Sequence, residues 1–363
     1  MADLVRLLDT VTVVAPTAPD EPTLVAHGPR MLRIRGREQA VEDALARLRE
    51  GAEEHVLRGD DAEPSVRRLL TALDELGWLT RESAHIPSEA IWDRQVGWWS
   101  TLTTEPTAAQ RRLAAAGVAV LGVGGVGALV AQHLVAGGVR RLDLVDHDTV
   151  APHNLNRQYL FRRSDVGRPK AAAAAASLAG FADDLDLRPV RCRVERPADL
   201  DVLSRPLDLL VVAADTPPDL MDTVWTWARE REVAVLGAGV GLESGYWGPL
   251  LDPRRGHCWF CFEEERRSRL TADECRLETE TGPTPYSFGP TNALIADLTA
   301  RDAMLWLAVG RCASLGRRQV LEVIGIPPAA GPTPGSRHAT DGPPAEDPST
   351  PPESCPLHAG GLS

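Results

Sequence analysis

Five short apolar runs, each next to a helical pattern, most constrain what this chain can fold into. Strands that alternate with helices pack into a mostly parallel sheet that helices cover. The sequence therefore predicts an α/β domain with a doubly wound, Rossmann-like sheet over residues 84–326. Between about residues 90 and 325, the runs are VAVLGV, RLDLVD, RPVRCRVE, LDLLVVAA and VAVLGAGV.

Residues 1–83 indicate a separate α+β module. Strands followed by two helices are typical of a winged-helix-like fold. The module has no basic face for nucleic acid, and one edge of its sheet can instead capture an extended peptide by strand addition. A purely structural or dimerising role is the alternative. The predicted strands are Thr10–Val14, Thr23–Val25 and Met31–Ile34, and the predicted helices are Gln39–Arg49 and Pro64–Leu76.

Charge and composition exclude several classes of protein. A formal net charge of −12 without a basic run argues against a nucleic-acid partner. The apolar stretch from Val118 to Val139 is rich in glycine and includes Gln132 and His133, so we assign it to a strand, a loop and a helix and predict no membrane span. Without a secretory signal or a disulfide scaffold, we expect a cytoplasmic protein. Residues 327–354, rich in Pro, Gly, Ser and Thr, predict an irregular tether.

A glycine loop follows the first apolar run and opens a helix. Glycine lets the backbone approach a phosphate, and the first amides of a helix attract anions. The spacing also fits the G-x-G-x-x-G loop of dinucleotide enzymes, so an NAD-dependent oxidoreductase is an alternative. Asp146 lies at the distance of a ribose-binding acid, and we expect it to hold the ribose of the bound nucleotide. The glycines are Gly122, Gly124, Gly125 and Gly127.

The residues that follow favour a nucleoside triphosphate, because a triphosphate needs cations that a hydride-transfer site does not. Of the 39 lysines and arginines only Lys170 is a lysine, which suggests a role for a compact ammonium. Arg157 in NLNRQ is a second cation, and Asn154 and Gln158 can orient phosphate or carboxylate. Asp215 ends a predicted strand, where an α/β sheet presents ligands, and can hold magnesium. The alternatives are a surface ion pair for Arg157 and a helix N-cap for Asp215.

In their order, these motifs resemble the ThiF/MoeB branch of the ubiquitin-activating-enzyme superfamily. The order is Gly-x-Gly-Gly-x-Gly, D-x-D (Asp146 and Asp148), N-L-x-R-Q, V-G-x-x-K and a strand that ends in Asp. The resemblance covers roughly residues 90–363 and implies ATP-dependent adenylation of a carboxylate, commonly a protein or peptide C-terminus. In DRQVGWW it further implies that Arg94 reaches the ATP of a partner subunit, and therefore a homodimer.

The cysteines late in the chain predict a structural zinc site. Cys258 and Cys261 have the C-x-x-C spacing of zinc ligands. The family's second pair, near the C-terminus, is replaced here by Cys355 and His358, within a tail over residues 355–363. Three thiolates and one imidazole form a closed tetrahedral site that would hold this tail against the domain. A redox pair and unrelated thiols are the alternatives.

The remaining thiols are not expected to react. Cys275 lies where some relatives carry a thiol that forms a thioester or persulfide. Its neighbours Asp273 and Glu274 should raise its pKa, so we do not predict a catalytic role for it. Cys192, in a predicted strand, and Cys312 are expected to be packing or incidental thiols.

The N-terminal module ahead of this domain resembles the architecture of microcin-C-type peptide adenylyltransferases, where it is a precursor-peptide recognition element. The predicted function is therefore adenylation of a ribosomally made precursor peptide in natural-product biosynthesis, with other biosynthetic enzymes as further partners. One alternative is a leader-peptide-binding delivery protein, which would be expected to have lost its phosphate ligands. Another is activation of a ubiquitin-like sulfur carrier, which leaves the extra module unexplained.

Overall fold

A computed structural model of the chain describes residues 4–18, 20–36, 38–82, 91–242, 244–281, 284 and 286–322. The chain divides between Leu113 and Ala114 into two compact units, and each is described by itself. The predicted domain boundary after residue 83 lies outside the described residues, as do the predicted tether and C-terminal tail.

The first unit contains two small antiparallel sheets, with orders β2-β3-β4 and β5-β1-β6. The strands are β1 (Leu4–Leu7), β2 (Thr12–Val14), β3 (Thr23–His27), β4 (Arg30–Ile34), β5 (Ala52–Glu53) and β6 (Leu79–Thr80). The helices are α1 (Gln39–Glu50), α2 (Glu54–Arg58), α3 (Pro64–Glu75), α4 (Asp93–Trp99) and α5 (Pro106–Ala115), and the last of these crosses the boundary between the units.

The core of the first unit follows the helical pattern read from the sequence. Pro64 occupies the first turn of α3, where its missing N–H costs nothing. The predicted apolar face of α3 is buried from Val66 to Leu73, and Leu76 is partly buried. Trp78, directly after this helix, is fully buried in the same core.

The second unit is an α/β domain on a seven-stranded sheet with the order β13-β12-β11-β10-β7-β8-β9. Neighbours from β11 to β9 run parallel, and β12 and β13 are antiparallel at one edge, which confirms the predicted mostly parallel sheet. The strands are β7 (Gly117–Leu121), β8 (Arg141–Val145), β9 (Asp186–Val190), β10 (Leu209–Val212), β11 (Ala234–Val240), β12 (Ser244–Leu251) and β13 (Gln319–Glu322).

Helices cover the sheet, so that every residue of β7 is buried. α6 packs along α11, and α8 contributes Val224 and Trp225 to a core with Leu210 and Val212 of β10. No described helix has the length and apolar character needed to cross a membrane. The helices are α6 (Gly125–Gly137), α7 (Lys170–Leu178), α8 (Leu220–Glu230), α9 (Trp259–Ser268), α10 (Ala272–Glu280) and α11 (Gly289–Val309).

The sheet order creates a crevice at the carboxyl ends of its central strands. From β7 the chain passes through α6 to β8 on one side, whereas β10 lies on the other side of β7. The strand order therefore changes direction at β7. In open α/β sheets, ligands bind at such a switch point, beyond the carboxyl ends of the strands.

Candidate nucleotide site

A cleft lies at this switch point, where β10, β7 and β8 end. It also contains Cys192 and His147, which were not predicted as site residues. The prediction that Cys192 lies in a strand is wrong, because β9 ends at Val190, two residues earlier. The same rule about strand ends would therefore have found it. Six of the predicted site residues line the cleft: Gly122, Gly124, Asp146, Asp148, Lys170 and Asp215.

Two glycines close the loop between β7 and α6. Gly122 has φ of 89°, and a Cβ there would lie 2.7 Å from the carbonyl oxygen of Ala213. A Cβ on Gly127 would overlap the carbonyl oxygen of Gly122, far inside the 3.0 Å that real Cβ contacts keep. Both positions therefore require glycine for the backbone to turn this tightly.

The two middle glycines differ from each other. A Cβ on Gly125 would overlap the side-chain amide of Asn292 in the first turn of α11. Glycine at this position therefore lets α6 and α11 meet. At Gly124 the nearest heavy atom to a Cβ would be Nε2 of Gln158, at 3.8 Å. The space above Gly124 is therefore open, and this residue lines the cleft.

Asp146 ties the glycine loop to the end of β8. Its Oδ2 accepts a hydrogen bond of 2.8 Å from the amide of Val123, and its Oδ1 accepts one of 2.8 Å from the amide of Asp148. Each carboxylate oxygen has further lone pairs, so this buried side chain can still accept from a ligand hydroxyl. Its assignment to a ribose is unchanged as a prediction.

Lys170 is held in the cleft as the first residue of α7. Its Nζ donates to Oδ2 of Asp148 at 2.8 Å, and its backbone amide donates to the carbonyl of Asp148 at 2.9 Å. Lys170 is only 7% exposed, so its ammonium is fixed instead of moving through solvent. Burial opposes ionisation of Asp148, but the hydrogen bond and charge of Lys170, with His147 and Arg193, hold its pKa below the ordinary value.

Asp215 offers an exposed carboxylate three residues after β10. It accepts a hydrogen bond of 3.2 Å from the hydroxyl of Thr216. The alternative that Asp215 caps a helix is wrong, because the N-cap of α8 is Asp219. Asp215 and Asp148 thus present two carboxylates to the same cleft.

The three predicted residues of NLNRQ, Asn154, Arg157 and Gln158, are not among the residues that line the cleft, although Nε2 of Gln158 lies near Gly124. Arg157 donates to the carbonyl of His153 at 2.7 Å and to the side chain of Asn156, and it has no ion pair with a described acid. Asn154 is buried, and its Oδ1 accepts from the amide of Ala151 at 2.8 Å. These bonds close the local turn, and the predicted roles of both residues towards phosphate stay predictions.

Arg94 lies on α4 of the first unit. Its side chain is 97% exposed, and the nearest acid is Asp93, at 3.8 Å. This exposure leaves the guanidinium available to another molecule. Its predicted contact with the ATP of a partner subunit stays a prediction.

The predicted zinc ligands are described only in part. Cys258 is the N-cap residue of α9, and Cys261 follows in its first turn. Both are half-buried. Cys355 and His358 lie outside the described residues, so the four-ligand site stays a prediction.

Comparison with known proteins identifies the family of the chain. The model of the ThiF family matches residues 93–321. A SAMP-activating enzyme E1 of Haloferax volcanii is 32% identical over 182 residues, which cover 50% of this chain and 65% of that relative, a little under two thirds of its length. A sulfur carrier protein adenylyltransferase of Thermus thermophilus is 31% identical over 206 residues, which cover 56% of this chain and 73% of the relative.

Solved structures show the same fold. E. coli MccB, crystallised with AMPCPP and MccA, superposes with a TM-score of 0.69 at 21% identity, over 88% of this chain and 93% of that one. PaaA superposes with a TM-score of 0.65 at 19% identity, over 88% of this chain and 97% of that one. The family model spans more than half of the sequence and includes the whole nucleotide cleft. The chain therefore belongs to the ThiF family.

Proposed function

We propose that this protein binds ATP in the cleft and uses it to adenylate a carboxylate, the C-terminus of a precursor peptide or small protein. One observation carries the proposal: Lys170, Asp148 and Asp215 converge over a glycine loop whose backbone is open at Gly124. The relatives named above as adenylyltransferase and activating enzyme support this reaction, and MccB has also been crystallised with ATP.

In this reaction a carboxylate oxygen attacks the α-phosphorus, the bond to the bridging oxygen breaks, and pyrophosphate leaves. The protein contributes by positioning and by stabilising negative charge. We assign charge stabilisation to the ammonium of Lys170 and to the amides at the start of α6, with Arg157 and Arg94 as further cations. The carboxylates of Asp148 and Asp215 fit Mg²⁺, which when bound would neutralise part of the triphosphate charge.

We propose that the first unit is a winged-helix-like module that binds the peptide. Among the described strands β4 pairs with β3 alone, so its other edge has backbone groups that can pair with an added strand. Arg30 and Arg33 on this strand are exposed, as is Arg35 directly after it. These charges favour an acidic, extended segment of the peptide.

A zinc ion would have a structural role at the other end of the chain. Cys258 and Cys261 lie at the start of one helix, a position from which two thiolates can share a metal. With Cys355 and His358 they would form a closed site without an open position for substrate. We therefore propose zinc as a structural ion and assign it no part in the adenylation.

ATP is expected to protect Cys192 from alkylation by N-ethylmaleimide, because this thiol lines the cleft. Burial, with the charge of Asp199, raises the pKa of Cys192, so the reaction should be slow at pH 7 and accelerate towards higher pH. With ATP at ten times its Kd, the rate should fall about tenfold. Peptide mapping by mass spectrometry measures the alkylation rate of Cys192, with Cys275 as the unprotected control. Equal rates with and without ATP would place the nucleotide elsewhere.

Mixing two inactive variants tests the proposed homodimer. We expect Arg94→Ala and Lys170→Ala to complement each other, because a mixed dimer contains one site with both residues. After subunit exchange of equal amounts, about a quarter of the wild-type ATP–pyrophosphate exchange should return. The matched control mixes Lys170→Ala with the double variant, which leaves no complete site. Failure of the first mixture to regain activity would show that Arg94 does not act across subunits.

Activation of a small sulfur-carrier protein is the second candidate. The similarity to the Thermus thermophilus adenylyltransferase, over 73% of its length, favours it. The two candidates differ in the substrate that is adenylated, and not in the nucleotide chemistry. Incubation with ATP and either a precursor peptide or a carrier protein ending in Gly-Gly, followed by mass spectrometry of the acyl-adenylate, distinguishes them.

A further inference from the structure

Positive charge is concentrated on the loop between β8 and α7, in a chain whose formal net charge is −12. Residues 150–168 contain four arginines and one acid, a formal charge of +3, and we call them the arginine loop. The acid, Asp165, is 8% exposed and pairs with Arg168. Arg162 and Arg163 are exposed and form no ion pair with a described acid. The four arginines are Arg157, Arg162, Arg163 and Arg168.

The arginine loop is closed at its base, beside the cleft. Thr149 and Pro169 form an antiparallel bridge, and their chain neighbours Asp148 and Lys170 line the cleft. The loop is packed by its own side chains, as in an Ω-loop, so its charges have fixed positions. Its buried residues are Val150, Asn154, Leu160, Phe161, Gln158 and Asp165.

The arginine loop also reaches the glycine loop. Nε2 of Gln158 would lie 3.8 Å from a Cβ on Gly124. The amide of Phe161 donates to the carbonyl of Gln158 at 3.1 Å, and this tight turn keeps Arg162 within about 11 Å of Gln158 between Cα atoms. Arg168 lies two residues before the cleft lysine, within about 7 Å between Cα atoms. The arginine loop therefore runs along the end of the cleft where we propose that the phosphates bind.

The side chains that line the cleft do not by themselves attract a polyanion. Three carboxylates and one ammonium leave a formal charge of −2 on the lining. The ammonium of Lys170 is hydrogen-bonded to Asp148, which offsets its charge at longer range. A triphosphate that approaches from solvent is therefore repelled by the lining and by the net charge of the chain. The three carboxylates are those of Asp146, Asp148 and Asp215.

We propose that the arginine loop steers ATP into the cleft. Arg162, Arg163 and Arg168 attract the triphosphate during its approach and do not contact it once it is bound, because they do not line the cleft. The inference rests on the proposed function, since it takes ATP as the ligand. Charges of one sign beside a cleft raise the association rate of an oppositely charged ligand by about 10- to 10³-fold. Their attraction extends over about 10 Å at 0.1 M ionic strength and about 30 Å at 0.01 M.

Stopped-flow association of a fluorescent nucleotide tests the steering. The probe is 2-aminopurine riboside triphosphate with Mg²⁺, which keeps the ribose and triphosphate of ATP, mixed with the full-length protein. The double variant Arg162→Gln, Arg163→Gln should associate about tenfold more slowly than wild type at an ionic strength of about 0.02 M. At about 0.3 M, where the screening length is about 6 Å, the two rates should be equal. The dissociation rate should not change.

Three further variants separate steering from a direct contact. Arg162→Lys, Arg163→Lys keeps both charges and should associate at the wild-type rate, because a long-range field depends on charge and not on guanidinium geometry. Arg163→Gln alone should slow association about threefold, and it removes a side chain that makes no hydrogen bond or ion pair with the described residues. The matched control Arg229→Gln, Arg231→Gln removes two charges at the end of α8, next to the amino end of β11 and away from the cleft, and should leave the rate unchanged.

The outcomes distinguish this inference from the proposed function. A double glutamine variant that associates as fast as wild type at low ionic strength overturns the steering and leaves the nucleotide site intact. Slow association of the lysine variant, or faster dissociation from the glutamine variant, would assign the arginines a direct contact with the bound nucleotide. An effect confined to the KM for the acyl substrate would assign the loop to an acidic partner, and it would also overturn the steering. If neither the probe nor ATP binds, the proposed function itself fails.

Discussion

Lys170→Ala is expected to lose ATP–pyrophosphate exchange by about 10²- to 10³-fold while the protein keeps its fold. The ammonium of Lys170 is buried in the cleft, and the chain has no other lysine. Its partner Asp148 is 51% exposed, so the remaining carboxylate stays hydrated, and the free energy of unfolding should fall by only about 1 kcal/mol. Exchange of radiolabelled pyrophosphate into ATP measures the activity, and thermal denaturation measures the fold.

Two further variants make this result specific. Lys170→Arg keeps the charge, but a planar guanidinium does not fit a buried site shaped for a compact ammonium, so less than about a tenth of the activity should return. Arg168→Ala removes a cation two residues away, which pairs with Asp165 and is 49% exposed, and it should retain nearly full activity. Wild-type exchange in Lys170→Ala would remove this residue from the mechanism.

The Lys170–Asp148 pair should persist over the whole range in which activity is assayed. Lys170 holds the pKa of Asp148 below its ordinary value of 3.8. A carboxylate with a lowered folded-state pKa contributes stability above its unfolded pKa and loses it as the pH falls through the folded value. Any pH dependence between pH 5 and 8 must therefore have another origin than this carboxylate.

Gly127→Ala is expected to destabilise the protein by about 3 kcal/mol, measured by chemical denaturation. The added methyl group would overlap the carbonyl oxygen of Gly122. This obstacle is backbone, so no change of side-chain rotamer can relieve it, and the loop between β7 and α6 must open. ATP binding should be lost together with stability.

Gly124→Ala is the matched control, because it adds the same methyl group in the same loop. The nearest atom would be 3.8 Å away, so the free energy of unfolding should change by less than about 1 kcal/mol. The methyl group stands where phosphate approaches the backbone, so ATP affinity measured by calorimetry should fall about tenfold or more. Equal destabilisation by both substitutions would contradict the open geometry at Gly124.

The strands of the sheet were predictable where they are buried on both faces. β7, β10 and β11 appear in the sequence as continuous apolar runs, which is how central parallel strands read, whereas the run of β8 is interrupted by the buried Asp143. β12 and β13 were not predicted: β12 contains Gly245, Gly248 and Pro249, and β13 is an edge strand with alternate residues exposed. In the first unit β1 was not predicted, and neither were its partners β5 and β6, which with two residues each are too short to show a strand pattern.

Local sequence was a weaker guide to the hydrogen bonds of the site. Arg157 and Asn154 have the right chemistry for a phosphate, yet both bond to the turn that contains them. Cys192 packs against the hydrophobic core, as expected, but it also lines the cleft, which the sequence did not indicate. The residue type limits which hydrogen bonds a side chain can make. Which of them form depends on the nearby backbone groups, whose positions are known only from the three-dimensional structure.

By itself the sequence determined the central parallel strands, the glycine loop and which side chains carry charge or can bind a metal, because apolar periodicity and residue chemistry are properties of short segments. The tertiary structure decided which of these meet. Lys170 and Asp148 are 22 positions apart, and Asn292 reaches Gly125 from 167 residues further along the chain. Such contacts depend on strand order and helix packing. Strand order and helix packing follow from the burial of the whole core, and no single segment of the sequence determines them.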